Sequence, residues 1–193
     1  MTDVILAGVG GQGAVLSARV LAETALSLGF DIKTSEVHGM AQRGGSVISM
    51  VRWSDKVYSP LIPREKADFL LAFELLEGLR NLCYLSAEGT AVVNDYRMDP
   101  LTVLRGDAHY PEYVLDDIRD YAAHLVDLDA RALALKAGNT RAAGSCLLGV
   151  LSTFLEFPID AWEGAIRRFV PPKAGEVNLK AFSLGRKSRS GSS

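Results

Sequence analysis

The 193-residue chain has only two cysteines, Cys83 and Cys146, far apart and in no CxxC pair. That excludes a disulfide framework. It also excludes an iron–sulfur cluster held by this chain alone, since such clusters normally take four thiolates. Histidine is as scarce: His38, His109 and His124 have no metal-ligand spacing, so no metal site is expected. There is no G-x-S-x-G elbow and no P-loop lysine. The start, MTDVILAGVGG, lacks a charged n-region and a cleavage site. No apolar run reaches the ~18 residues of a membrane span. The expectation is a soluble cytoplasmic protein with reduced thiols and no membrane contact. Excess charge is missing too. A net charge of −2 carries no nucleic-acid footprint.

What is present is an ordinary globular composition, 48% hydrophobic and 23% charged. The length suits one domain with a full core. Val4 to Ala7 are a short apolar run ending at glycines, which reads as a buried strand of a parallel sheet. Residues 14–28 form a largely buried helix with one polar stripe of Arg19, Glu23 and Ser27. Gly29 stands where a C-cap glycine belongs. Asp31 to Val37 are a second strand, so the opening is a βαβ unit with an expected right-handed crossover. Further strands are expected at 47–53, 67–73, 91–93 and 124–128, and residues 96–112 read as loop. Helices are expected at 74–85, 113–122, 129–137, 140–156 and 160–169, with Asp160 and Glu163 as a capping-box-like pair. A short helix over 179–184 comes last. The fold class is therefore α/β: a single-domain, Rossmann-like three-layer sandwich over 1–185, with a mostly parallel sheet and a helical C-terminal part. Residues 186–193 read as a flexible basic, serine-rich tail.

Two loops carry the chemistry. Gly8-Val9-Gly10-Gly11-Gln12-Gly13 satisfies G-x-G-x-x-G after a strand and before a helix. Such a turn aims backbone N–H groups at whatever lies above the helix N-terminus. Glu36, 23 residues past Gly13, stands where a ribose-binding acid would. The motif alone leaves cofactor binding and a plain tight turn at even odds. Gln12 can donate to a ligand or brace the loop after the second strand. That loop is His38-Gly39-Met40-Ala41-Gln42-Arg43-Gly44-Gly45-Ser46. It follows a strand carboxyl end, where ligands of open α/β sheets sit, on the same rim as the glycine turn. Arg43 suits a carboxylate or phosphate through its bidentate fork. Gly44 and Gly45 suit a close backbone approach, and His38 and Gln42 supply polar contacts. The alternative is a solvated surface loop; two polar glycine loops converging on one rim argue against it. Cys146, in an apolar helix, reads as a packed small hydrophobe and not a nucleophile.

GVGGQG after the first strand and SEVHGMAQRGGSV after the second resemble the gamma subunits and gamma domains of the 2-oxoacid:ferredoxin oxidoreductases. The MAQRGGS form of the second loop is that of the indolepyruvate (arylpyruvate) branch, where the corresponding chain is the beta subunit. The likeness extends to ADFLLAFE at 67–74, Gly138-Asn139, Leu147-Leu148-Gly149 and NLKAF at 178–182, and covers about residues 3–185. The resemblance implies CoA-dependent oxidative decarboxylation of a 2-oxoacid, yielding an acyl-CoA, carbon dioxide and reduced ferredoxin. It places thiamine diphosphate and iron–sulfur clusters in a large partner subunit, through which ferredoxin is reached. This chain lacks the family's thiamine signature, since Gly106-Asp107 is followed by Ala108. It is thus expected to bind no cofactor alone and to complete or cover the active site of a heteromer. An isolated copy is expected to be inactive and able to self-associate as a homodimer through the rim. One departure is Gly144, aligned where the family often has Asn. Two other readings stay open: an independent dinucleotide-binding protein, and a purely structural partner-binding subunit.

Overall fold

A computed structural model describes residues 1–39 and 44–190. Six strands form one sheet: β1 (Thr2–Val9), β2 (Asp31–His38), β3 (Ser46–Ser54), β4 (Ala67–Ala72), β5 (Leu85–Asn94) and β6 (His124–Leu128), in the order β2-β3-β1-β4-β5-β6. β1, β4, β5 and β6 run parallel, while β3 is antiparallel to both β1 and β2.

The helices are α1 (Ala14–Ser27), α2 (Leu75–Asn81), α3 (Leu101–Leu104), α4 (Val114–Tyr121), α5 (Ala130–Ala137), α6 (Ala143–Leu151), α7 (Ile159–Phe169) and α8 (Gly175–Ser190). One core cluster joins α1, α5, α6, α7 and α8 to Val4, Leu6, Val51, Trp53 and Val92 on one sheet face. A second joins α2 and α4 to Ile5, Ala7, Leu70 and Ala91 on the other face. The three layers expected from the strand–helix alternation are therefore present.

The opening βαβ unit differs from the simple expectation. β2 is parallel to β1, but β3 lies between them. Composition explains the insertion. β3 is buried along most of its length by Val47, Met50, Val51 and Trp53, as an interior strand must be. β2 carries Asp31, Lys33, Glu36 and His38 and is exposed along most of its length, which suits an edge.

Three further differences concern helix ends. The helix expected over 140–156 is a 3₁₀ turn at Thr140–Ala142 followed by α6, which stops at Leu151. There Ser152 and Thr153 turn their hydroxyls back onto the Gly149 and Val150 carbonyls. The N-cap of α7 is Pro158, without a side-chain cap bond, so Asp160 lies inside the first turn and forms no capping box with Glu163. The last helix continues through Arg189, where a flexible tail is expected from Arg186. Arg186 donates to the Ser152 carbonyl and hydroxyl, and Arg189 to those of Thr153, while Arg189 also lies over the Phe154 ring at 3.6 Å. Two arginines that read as tail thus satisfy the open carbonyl end of α6.

Candidate functional site

The carboxyl ends of β1, β4, β5 and β6 share one rim, and the glycine turn occupies its middle. Gly11 and Gly13 have φ of +101° and +94°, a backbone region that side chains rarely adopt. Gln12 braces the turn itself: its backbone N–H donates to the Val9 carbonyl at 3.0 Å, and its Oε1 accepts from Val9 N–H at 2.8 Å. The close approach falls at Gly8, where a Cβ would lie 2.9 Å from Phe73 Cβ, whereas no atom lies within 4 Å of a Cβ at Gly13. Gly13→Val is accordingly expected to cost about 1–2 kcal/mol through backbone strain rather than overpacking. A lowered urea midpoint with an unchanged slope would register it; an unchanged midpoint would refute the strain.

Gly13 is the N-cap of α1, with no side-chain cap bond and no acid in the first turn. The first N–H groups of the helix therefore face the rim, a polarity that favours an anion.

The described end of the second loop is bonded to this turn. Gly10 N–H donates to the Gly45 carbonyl at 2.8 Å, and Gly44 N–H to the Gly10 carbonyl at 3.4 Å. Its far end is tied down as well: Ser46 Oγ donates to buried Glu77 at 2.5 Å, and Glu77 also accepts from Arg80 at 2.7 Å. Gln42 and Arg43 lie outside the described residues. His38, at the exposed end of β2, lines a groove of about 430 Å³ with Gly10, Gly11, Gly13, Arg19 and Val47.

Glu36 is not brought to the turn. β3 separates its strand from β1, and Glu36 lines a different cavity, which contains none of the turn residues. The dinucleotide arrangement, with the acid one strand away from the glycine turn, is therefore not formed.

Residues beyond the two loops complete the rim. A cavity of about 370 Å³ opens between the glycine turn and the ends of β4, β5 and β6, lined by Gly11, Gln12, Phe73, Tyr96, Arg131 and Arg141. It lies at the switch point of the sheet, since α1 leaves to one face and α2 to the other. Arg131 stacks over the Tyr96 ring at 4.2 Å. Among the described residues neither Arg131 nor Arg141 makes an ion pair.

Asn94 fixes this wall. It is buried at the end of β5, donates to the Phe73 carbonyl at 3.0 Å, and accepts from Ala130 N–H at 2.9 Å. One amide thus clamps β4, β5 and the start of α5, which carries Arg131. The other flank is set by Glu74, 1% exposed, which caps α2 and accepts from Met98 N–H and from the Tyr110 hydroxyl at 2.6 Å. Burial, and the hydrogen bond it donates to Glu74, push the Tyr110 hydroxyl well above its ordinary value.

Cys146 lies in the core, and burial pushes its thiol up to about 12, which suits packing and not nucleophilic attack. Cys83 sits on another element and points its Sγ at the Arg80 carbonyl. These two sulfurs do not fit an iron–sulfur cluster, being two ligands short and separately placed. Among the described residues no group of three His, Cys, Asp or Glu is placed to hold a metal. Gly144 packs α6 against α1: a Cβ there would meet Ser17 Oγ at 2.6 Å and Phe73 Cε1 at 3.1 Å.

Comparisons with known proteins bear on family and fold. The family model described as pyruvate ferredoxin/flavodoxin oxidoreductase matches residues 3–188. The chain is 40% identical over 190 residues to indolepyruvate oxidoreductase subunit IorB of Pyrococcus horikoshii, covering 95% of this chain and 93% of that protein. It is 36% identical over 187 residues to the subunit of the same name from Archaeoglobus fulgidus, covering 95% and 92%. Its fold is like that of a keto/oxoacid ferredoxin oxidoreductase gamma subunit from Geobacter sulfurreducens, with a TM-score of 0.74 at 22% identity and both chains fully covered. It also matches 31% of a chain of the 2-oxoglutarate:ferredoxin oxidoreductase from Magnetococcus marinus, over the whole of this chain, with a TM-score of 0.75 at 16% identity.

Proposed function

The chain belongs to the pyruvate ferredoxin/flavodoxin oxidoreductase family, and from that premise we propose the part it plays. It is the small subunit of a 2-oxoacid ferredoxin oxidoreductase, of the kind that acts on indolepyruvate. Its rim packs against a larger chain that carries thiamine diphosphate and the iron–sulfur clusters, and closes the active site there. Its cavity receives the phosphates of coenzyme A, the acyl acceptor.

The observation that carries this reading is the joined rim. Two glycine loops are bonded to each other through Gly10, Gly44 and Gly45, beside a cavity that holds two guanidiniums without ion-pair partners among the described residues. Uncapped N–H groups of α1 face the same space. Such a surface suits an anionic ligand and close approach by another backbone. The cysteines and acids of this chain do not suit a resident metal cluster, so electron transfer falls to the partner.

The test is co-purification with the large subunit, followed by viologen reduction across 2-oxoacids with coenzyme A. Activity in the complex and none in either chain alone is expected; substantial turnover by this chain alone would refute the division of labour. Arg43→Ala is expected to fold and assemble normally but to lose about tenfold in kcat/KM, or ~1.4 kcal/mol. Activity that returns at high partner concentration would instead make Arg43 an interface residue. Calorimetric titration with NAD(H) and FAD should give no heat of binding, as the displacement of Glu36 from the turn leads one to expect.

A further inference from the structure

Between β5 and α4 the chain sets a small helix at the rim with apolar side chains turned outward. In α3, Val103 packs onto the core cluster beneath, while Leu101 and Leu104, one turn apart, are 59% and 67% exposed. Met98 is exposed just before them. These three side chains border one pocket of about 130 Å³, together with Val9 of β1 and Gly44 of the second loop. Exposed leucines scattered singly need no explanation; three large apolar side chains around one pocket do. Through Val9 and Gly44 the patch is continuous with the two joined glycine loops.

The patch is held in place from behind. Buried Glu74 accepts from Met98 N–H at 3.1 Å and from the Tyr110 hydroxyl, on either side of α3 in the chain. Leu75 N–H donates to the Tyr96 carbonyl, and the Asp107 and Ala108 N–H groups donate to the Thr102 carbonyl. The leucines thus stand on a fixed turn, and a partner has little to order when it arrives. The pocket is also acidic: Glu74, Glu77 and Asp99 line it with one cation, Arg80. Glu77 is paired with Arg80 and Asp99 with Arg97, whereas Glu74 has neutral donors and no ion pair among the described residues.

We propose that Leu101 and Leu104 anchor the large chain, and that the segment docking there brings one large apolar side chain with a basic residue beside it. The proposal rests on the small-subunit reading above and adds to it a contact outside both glycine loops. A cavity of ~150 Å³ holds a benzene ring, so this pocket takes one side chain of about that size. The leucines around it exclude water from the contact, as at a binding hot spot. The unpaired negative charge of the pocket selects a base over an acid. It also disfavours a second copy of this chain, because a two-fold contact through the same patch would set one acidic pocket against the other.

Calorimetric titration of the full chain with the separately purified large subunit tests the proposal, with sedimentation equilibrium of the chain alone beside it. Leu101→Ser and Leu104→Ser should each raise the Kd about tenfold with little change in melting temperature. Their kcat should return to the parental value once the large subunit is saturating. Leu135→Ser, comparably exposed on α5, should bind as the parent does. Leu104→Lys should lose more affinity than Leu104→Glu, since a base is expected opposite. A parental chain with no affinity for the large subunit would overturn the small-subunit reading and this proposal with it. Parental affinity in both serine variants would overturn the anchor alone, as would a greater loss in Leu104→Glu than in Leu104→Lys. A parental dimer that the serine variants abolish, with large-subunit binding unchanged, would give the patch to a second copy and overturn the proposal as well.

Discussion

Arg131→Ala is expected to lower the kcat/KM of the reconstituted complex by about ten- to a hundredfold, ~1.4–2.7 kcal/mol of transition-state stabilisation, with most of the loss in KM for coenzyme A. The guanidinium lies in the rim cavity, across from the glycine turn and stacked on Tyr96 at 4.2 Å. Stacking holds its plane, so little ordering remains when an anion arrives. The lost cation–π contact accounts for only ~0.5–1 kcal/mol of stability, so the melting temperature should move by a few degrees at most. Arg131→Lys keeps the charge without the planar fork and should recover part of the activity. A structural staple would behave differently. If Arg131 merely pinned the 94–97 segment, alanine would shift melting and leave the coenzyme A dependence alone, and the phosphate reading of the cavity would fail.

That residue was not legible from motif reading, for a physical reason. The rim is assembled from the ends of five strands scattered along the chain, β1, β2, β4, β5 and β6, and only the first two of its loops carry the glycine patterns. Arg131 follows an ordinary helix N-cap, Asp129, whose side chain accepts from Ala132 N–H. Its position depends on Asn94, 37 residues away, which accepts from Ala130 N–H at the start of the same helix. The parallel core was easier. Val4 to Ala7, Leu70 to Ala72 and Ala91 to Val93 are continuous apolar runs, and each is buried within a strand.

The place of β3 required weighing two strands against each other. DIKTSEVH is too polar to be flanked on both sides, whereas SVISMVRWS is not, and order in the sheet follows burial rather than sequence. Glu36 was misplaced with it, because a ribose acid presupposes that β2 is next to β1. The C-terminal helix was underestimated because Arg186 and Arg189 have the composition of a solvated tail. Their partners, the Ser152 and Thr153 carbonyls, exist only once α6 has ended against α8.

The contact of α6 with α8 also carries the largest stability effect expected of any single methyl group. Gly149 and Gly185 face each other across it. A Cβ at 149 would lie 2.1 Å from the Phe182 carbonyl oxygen and 3.0 Å from the Arg186 nitrogen, and one at 185 would lie 2.0 Å from the Cys146 carbonyl oxygen. These obstacles are backbone atoms of the neighbouring helix, which cannot rotate aside as a side chain can. The helices must separate, and separation disturbs buried Phe182, Trp162 and Leu148, with the Trp162–Phe182 rings now 5.7 Å apart. Overpacking typically costs ~1–3 kcal/mol and sometimes more. With backbone on both sides, Gly149→Ala should fall at or above the top of that range, about 3 kcal/mol. That is a large share of the ~5–15 kcal/mol by which a domain is usually stable. Gly164→Ala is the control. It lies exposed inside α7 with no atom within 4 Å of a Cβ, so it should gain about 0.5–1 kcal/mol from helix propensity. Urea midpoints of the two variants should therefore move in opposite directions with similar slopes. A parental midpoint for Gly149→Ala would mean that the two helices do not approach at backbone distance.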